Sequence, residues 1–150
     1  MDAASRAKRQ TQEVIVHPQC LKCDALCCRY YCLAIPQPQT YEDFDEVRWY
    51  LMHAGSSVHV DFDGDWWLRV QGPCGMLQET PAGPQCVAYD DRPVVCRVLH
   101  PDRCHFSQGE PRYDHEFRTP AELDEFARAM LGQDEYLRQQ SLARRQADRL

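Results

Sequence analysis

Nine cysteines stand out in this 150-residue chain. Five lie close together as Cys20-x2-Cys23-x3-Cys27-Cys28-x3-Cys32, and four follow singly at Cys74, Cys86, Cys96 and Cys104. Two intervening residues let both thiolates of a Cys-x2-Cys loop face one metal. The additional thiols just downstream turn a moderate signal into a strong one. Adjacent side chains point apart, so Cys27 and Cys28 serve two sites, or one of them is a packed thiol. The four separated cysteines come from different loops or helix ends, and only a fold can gather them. Four from each group would make two tetrathiolate zinc sites, or one iron–sulfur cluster with an additional site. Cys20, Cys23 and Cys27 could reach one 4Fe-4S cubane, although their spacing differs from the standard ferredoxin runs. Soft thiolates select zinc, copper(I) or iron–sulfur over magnesium or calcium.

A disulfide framework is the competing use of so many cysteines. It fits poorly with an odd count and with a polar Met1–Gln12 stretch that lacks the apolar core of a signal peptide. No run approaches membrane-spanning length. The expectation is therefore a cytoplasmic protein without membrane contact, in which idle thiols would be an oxidation hazard. The formal net charge of −6 argues against nucleic acid as a partner. Much of the acidity is local: Glu42, Asp43, Asp45, Glu46, Asp61, Asp63 and Asp65 face only Arg48 and Arg69 over the same stretch.

A zinc ion with four thiolates carries a formal charge of about −2, which needs an offset. Lys22, Arg29, Arg97 and Arg103 neighbour cysteines, and Arg92 lies four before Cys96. Such cations can donate N–H bonds to sulfur, although ordinary surface arginines would look the same in sequence. His100 and His105 flank Cys104 and are either ligands or exposed side chains. His17 lies near Cys20, while His53, His59 and His115 have no ligand-like context.

These residues need elements to position them. Residues 1–16 read as a flexible arm. Tyr30 to Ile35 suits a short strand stopped by Pro36 and Pro38. Thr40 and Asp43 form a capping box for a helix whose apolar face is Phe44, Val47, Tyr50 and Leu51, ending near His53 and Gly55. Val58, Val60 and Phe62 alternate with polar residues, as do Trp66, Leu68 and Val70. With Asp63-Gly64 between them, the pattern predicts a β-hairpin closed by a two-residue type I′ turn. Residues 72–84 are rich in Gly and Pro and read as loop. A short strand or turn around Cys86–Tyr89 leads to a helical segment with Pro93 in its first turn and Val94, Val95, Val98 and Leu99 as apolar positions. Thr119-Pro120-Ala121-Glu122 is a second capping box, followed by a stripe of Leu123, Phe126, Met130 and Leu131 that Gly132 breaks. Another helix is expected from about Asp134. Trp49, Trp66 and Trp67 belong to the core or to a half-buried hairpin face.

The expected fold is a small single α+β domain: a β-hairpin, short helices and loops gathered around a cysteine-lined metal centre. It spans residues 17–132, with residues 133–150 as a helical tail.

The cysteine pattern resembles the YkgJ-type cysteine-cluster family of zinc- or iron-chelating CxxCxxCC domains. The resemblance rests on Cys20-x2-Cys23-x3-Cys27-Cys28, then Cys74, then Cys86-Val-Ala-Tyr89-Asp-Asp-Arg92-Pro93-Val-Val-Cys96-Arg97, then Cys104. Asp43 to Leu51 and the Asp-Gly-Asp-Trp hairpin also resemble one branch of it. It implies eight metal ligands, Cys20, Cys23, Cys27, Cys28, Cys74, Cys86, Cys96 and Cys104, with Arg92 and Arg97 around them and Cys32 outside the set. A larger relative, the flagellin lysine methylase, shares the motif and implies an iron–sulfur cluster. The present sequence reads as too short for a separate methyltransferase domain and has no Gly-rich cofactor fingerprint.

The leading functional expectation is a module that binds zinc, iron or a 4Fe-4S cluster through cysteine thiolates, with the metal ion as its partner. The alternative is a redox enzyme, iron–sulfur or thiol-dependent, or a methylase-related accessory protein. Cys96 beside Arg97 would then be a low-pKa nucleophile, or Cys20 and Cys23 a redox pair. A third reading is a regulatory protein stapled by metal, with the hairpin as its interaction surface.

Overall fold

The structure, a computed structural model, describes residues 24–97 and 113–149. These fall into two compact units, one comprising residues 27–74 with 113–149, the other residues 75–97 with 24–26. The proposed arm over residues 1–16 lies outside the described residues.

The larger unit is a four-stranded antiparallel sheet under three helices. Strand β1 (Tyr30–Ile35) is followed by helix α1 (Tyr41–Leu51), and then by the hairpin of β2 (Ser56–Val60) and β3 (Trp66–Gln71). Strand β1 and helix α1 appear where the sequence places them. The α1 capping box is complete: Thr40 Oγ accepts from the Asp43 N–H, while the Asp43 carboxylate accepts from the Thr40 N–H at 2.8 Å. This satisfies amide donors that a helix N-terminus otherwise leaves open.

The hairpin forms, but its turn is longer than expected. Val60 and Trp66 are the last paired residues. Beyond them the Asp61 N–H donates to the Asp65 carbonyl at 3.0 Å, and the Gly64 N–H to the Asp61 carbonyl at 3.0 Å. A β-turn over Asp61–Gly64 therefore closes on Gly64 at φ +88°, the pattern of a three-residue loop rather than a two-residue one. The Asp61 carboxylate explains the preference: it accepts from the Asp63 and Asp65 amides and from the Trp67 indole, each at 3.0 Å. Phe62 is carried into this loop and is 71 % exposed, not buried.

A short strand not anticipated from the sequence, His115–Phe117, pairs with β2 and completes the sheet. The smaller unit supplies β4 (Leu77–Thr80), β5 (Gly83–Cys86) and α2 (Val94–Arg97) between β3 and this strand in chain order, so this strand is β6. The sheet order is β1-β3-β2-β6. Helices α3 (Pro120–Leu131) and α4 (Gln133–Ala147) complete the unit. Helix α3 has its own capping box, Thr119 with Glu122, and Pro120 in its first turn. Gly132 separates the helices at φ +84° and ψ 142°, a conformation that side chains other than glycine's resist.

One sheet face and the helices share a core of Tyr41, Phe44, Val47, Leu51, Val58, Val60, Trp66, Leu68, Phe117, Leu123, Ala127 and Tyr136. Its centre is aromatic. Trp66 stacks on Phe117 at 5.7 Å, and Phe126 meets Trp66, Phe117 and Phe44 edge-on at 5.9, 5.1 and 6.3 Å. The α3 stripe differs from expectation at one position: Ala127 is fully buried and Met130 is 50 % exposed. Ala127 follows Leu123 by four positions and so shares its face of the helix, which the core covers completely. Helix α4 is tied to the core by Tyr136, whose ring meets Tyr41 edge-on at 5.1 Å, and by Gln139, which accepts from the Tyr41 N–H at 2.7 Å. Of the three tryptophans only Trp66 is in the core; Trp67 is half-buried and Trp49 is exposed.

The opposite sheet face carries a polar network. The Arg69 guanidinium donates to Ser57 Oγ at 3.1 Å and to Glu116 at 2.8 Å, and lies 5.6 Å from the Tyr30 ring. His59 is buried there and packs on the Tyr113 ring at 4.2 Å. No described helix is long and apolar enough to cross a membrane.

The smaller unit contains a hairpin of β4 (Leu77–Thr80) and β5 (Gly83–Cys86), followed by the single turn α2 (Val94–Arg97). Most of this hairpin falls in the segment that Gly and Pro content had marked as loop. Thr80 closes it: its hydroxyl donates to the Gly83 carbonyl at 2.7 Å and accepts from the Ala82 N–H at 3.2 Å. Val98 and Leu99 lie outside the described residues, and Val94 and Val95 are exposed.

Candidate metal centre

The six described cysteines, Cys27, Cys28, Cys32, Cys74, Cys86 and Cys96, are thiols and not disulfides. Cys20, Cys23 and Cys104, with His17, His100 and His105, lie outside the described residues. Among the described residues no three His, Cys, Asp or Glu side chains converge as a metal site.

In the larger unit, the sheet aligns two candidate ligands that are distant in sequence. Cys27 and Cys28 sit in a 3₁₀ turn, Leu26–Cys28, entered through Ala25 at φ +54°. The β1–β3 ladder continues past its strands. The Gly72 N–H donates to the Arg29 carbonyl at 3.0 Å, and the Cys74 N–H to the Cys28 carbonyl at 2.7 Å. The main chains at Cys28 and Cys74 are therefore hydrogen-bonded neighbours. The register that pairs Tyr30 with Gln71 sets Cys28 across from Pro73; proline has no N–H to give, and the next amide, that of Cys74, donates to the Cys28 carbonyl. Cys27 is exposed and Cys28 half-buried.

Cys32 has a different setting. It lies within β1, directly across from Arg69. The residue keeps solvent contact, yet the surrounding protein pushes its thiol above the ordinary value, and the nearby Arg69 guanidinium opposes that shift. A thiol held protonated is a poor ligand and a poor nucleophile.

In the smaller unit Cys86 ends β5 opposite Leu77, and the Val87 N–H donates to the Met76 carbonyl at 2.9 Å just beyond. Cys96 lies in α2, with its N–H on the Pro93 carbonyl at 3.0 Å. Two arginines shape the loop between these cysteines. Arg92 Nε donates to the Tyr89 carbonyl at 2.9 Å, and its guanidinium lies 3.6 Å from the Tyr89 ring centre. Arg97 Nε donates to the Arg92 carbonyl at 2.8 Å, and its Nη2 donates to the Asp90 carbonyl. Tyr89 was not singled out from sequence for this role. The available signal was its position three before Arg92, which puts its ring and its carbonyl within reach of one guanidinium.

The donor set suits the metals suggested by sequence. Thiols at Cys27, Cys28, Cys74, Cys86 and Cys96 are soft ligands with solvent access, fitting zinc or iron better than hard cations. Comparison with known proteins gives one family. The model of the CxxCxxCC family, described as "Putative zinc- or iron-chelating domain", matches residues 19–123. No curated protein and no solved structure matches the chain. The matched segment holds every one of the nine cysteines and most of the chain, and the protein belongs to the CxxCxxCC family.

Proposed function

We propose that the protein is a metal-binding module, rather than an enzyme, that holds zinc or iron through the thiolates of Cys20, Cys23, Cys27, Cys28, Cys74, Cys86, Cys96 and Cys104. The observation that carries this reading is the 2.7 Å bond from the Cys74 N–H to the Cys28 carbonyl. It makes neighbours of a cysteine of the N-terminal cluster and the first of the separated ones, as a shared site requires. The family's zinc- or iron-chelating description points the same way. Zinc would act as a redox-inactive staple, and an iron–sulfur cluster as a one-electron carrier. The chain's part is to present thiols that deprotonate on binding, so affinity rises with pH while protons are released. Such thiols persist in a reducing compartment, consistent with a cytoplasmic location.

The test is metal and acid-labile sulfide content, with a visible spectrum, on protein purified without oxygen. Colourless protein with one or two zinc ions per chain supports a thiolate zinc module. Brown protein with iron and sulfide near stoichiometry supports the iron–sulfur form. Cys74→Ser and Cys28→Ser should each lower metal content. Metal-free wild-type protein that melts as the loaded protein does, and takes up neither metal, overturns the proposal.

A further inference from the structure

Arg92 and Arg97 hold the loop in which they stand. Between them, their side chains engage the carbonyls of Tyr89, Asp90 and Arg92, all within the loop joining Cys86 to Cys96. The bonds are in series: Arg92 grips Tyr89 by its carbonyl and its ring, and Arg97 then grips Arg92 by its own carbonyl. Pro93 adds a fixed φ and a carbonyl that takes the N–H groups of both Cys96 and Arg97, at 3.0 and 3.3 Å. Cys96 is thus linked through the next residue's side chain to a loop that starts from Cys86 at the end of a strand.

We propose that Tyr89, Arg92 and Arg97 are a brace that sets the Cys86–Cys96 loop before metal arrives, an inference that rests on the thiolate reading above. Ordering a loop on binding costs conformational entropy, and a loop already held loses less of it, so the metal binds more tightly. Arginine suits this role because its planar fork can reach two carbonyls at once. Lysine carries the same charge on a single point and cannot. The brace acts through the backbone, so the three residues are positioning residues rather than donors to sulfur.

The experiment uses the full chain, reduced and metal-free, with zinc(II) and cobalt(II) as probes and a chromophoric chelator as competitor. Arg97→Lys and Arg97→Gln should both weaken zinc binding by about tenfold, the scale of losing charge-assisted hydrogen bonds at an exposed position. Metal stoichiometry and the cobalt thiolate charge-transfer bands should not change. Chymotryptic cleavage after Tyr89 should speed up in the metal-free variants. Wild-type affinity in Arg97→Lys overturns the brace, since charge alone would then suffice. A shifted charge-transfer band at unchanged affinity also overturns it, because the arginine would then be acting on sulfur. Cys86→Ser and Cys96→Ser separate the two layers of the argument. If both keep full stoichiometry and affinity, the ligand assignment fails. If they lose metal while Arg97→Lys binds normally, only the brace fails.

Discussion

Replacing Arg69 by methionine probes the polar face of the sheet and the state of Cys32 together. Methionine retains much of the stem's packing and removes the guanidinium. Lost with it are the bonds to Ser57 Oγ at 3.1 Å and to Glu116 at 2.8 Å. The ion pair is partly shielded, its side chains being 23 % and 21 % exposed. Glu116 keeps a second cation, because Arg118 lies 3.0 Å from its other oxygen. The full penalty of an abandoned buried charge therefore does not apply, and the expected cost is about 2 kcal/mol. With a urea slope of about 1–3 kcal/mol per molar, the unfolding midpoint should fall by about 1 M. Arg69 also opposes the burial that raises the Cys32 thiol. Its removal should raise that thiol further and slow Cys32 alkylation near pH 8, read at peptide level under native conditions. The sign for stability follows. A thiol raised on folding contributes stability that is full below the unfolded value, about 8.5, and is lost as pH rises toward the folded value. Wild-type protein should lose that share of stability above about pH 8.5, and Cys32→Ser should not. An unchanged urea midpoint in Arg69→Met, or faster alkylation of Cys32, would refute this account of the network.

Two further outcomes test the core and the helix caps. Leu123→Ala empties a site with 0 % exposure and should cost about 3 kcal/mol, measured by thermal or urea unfolding. Amides of the two capping boxes hold their acids below the usual carboxylate range, chiefly the Gln39 N–H on Asp43 and the Arg118 N–H on Glu122. A depressed carboxyl stabilises the fold above the unfolded value, about pH 4, and that share is lost as pH falls through the folded value. Melting temperature followed downward from pH 5 should therefore fall less steeply in Glu122→Gln than in wild type, and an identical slope would count against the cap.

The parts of the fold legible in sequence are those decided within a few residues. Thr40 with Asp43 and Thr119 with Glu122 each satisfy helix donors three positions away, so both helix starts could be read directly. The alternation of Val58, Val60, Trp66 and Leu68 marks one buried face, because strand side chains point to opposite sides in turn. Less local competition was harder to see. Asp63-Gly64 suggested a two-residue turn, but Asp61 captures the amides of Asp63 and Asp65 and lengthens the loop. The β4–β5 hairpin was hidden by Gly83 and Pro84, which weaken any strand signal. Strand β6 is three residues long, and what marks it is its pairing with β2.

The same division runs through the candidate metal ligands. The sequence by itself determined the chemistry: nine thiols in a Cys-x2-Cys head and a spaced series, soft ligands in the pattern of a metal-chelating family. Ligand type and local spacing are covalent facts and need no fold to express them. Only the tertiary structure decided which cysteine main chains become neighbours. Pairing of Tyr30 with Gln71 brings Cys28 beside the Pro73–Cys74 segment, where the Cys74 N–H reaches its carbonyl, while the same register sets Cys32 against Arg69. It also turned Arg92 and Arg97, which in sequence are charges beside a cysteine, into hydrogen-bond donors to the loop they stand in. Strand register and the reach of a long side chain depend on where distant residues come to lie, and spacing along the chain does not specify that.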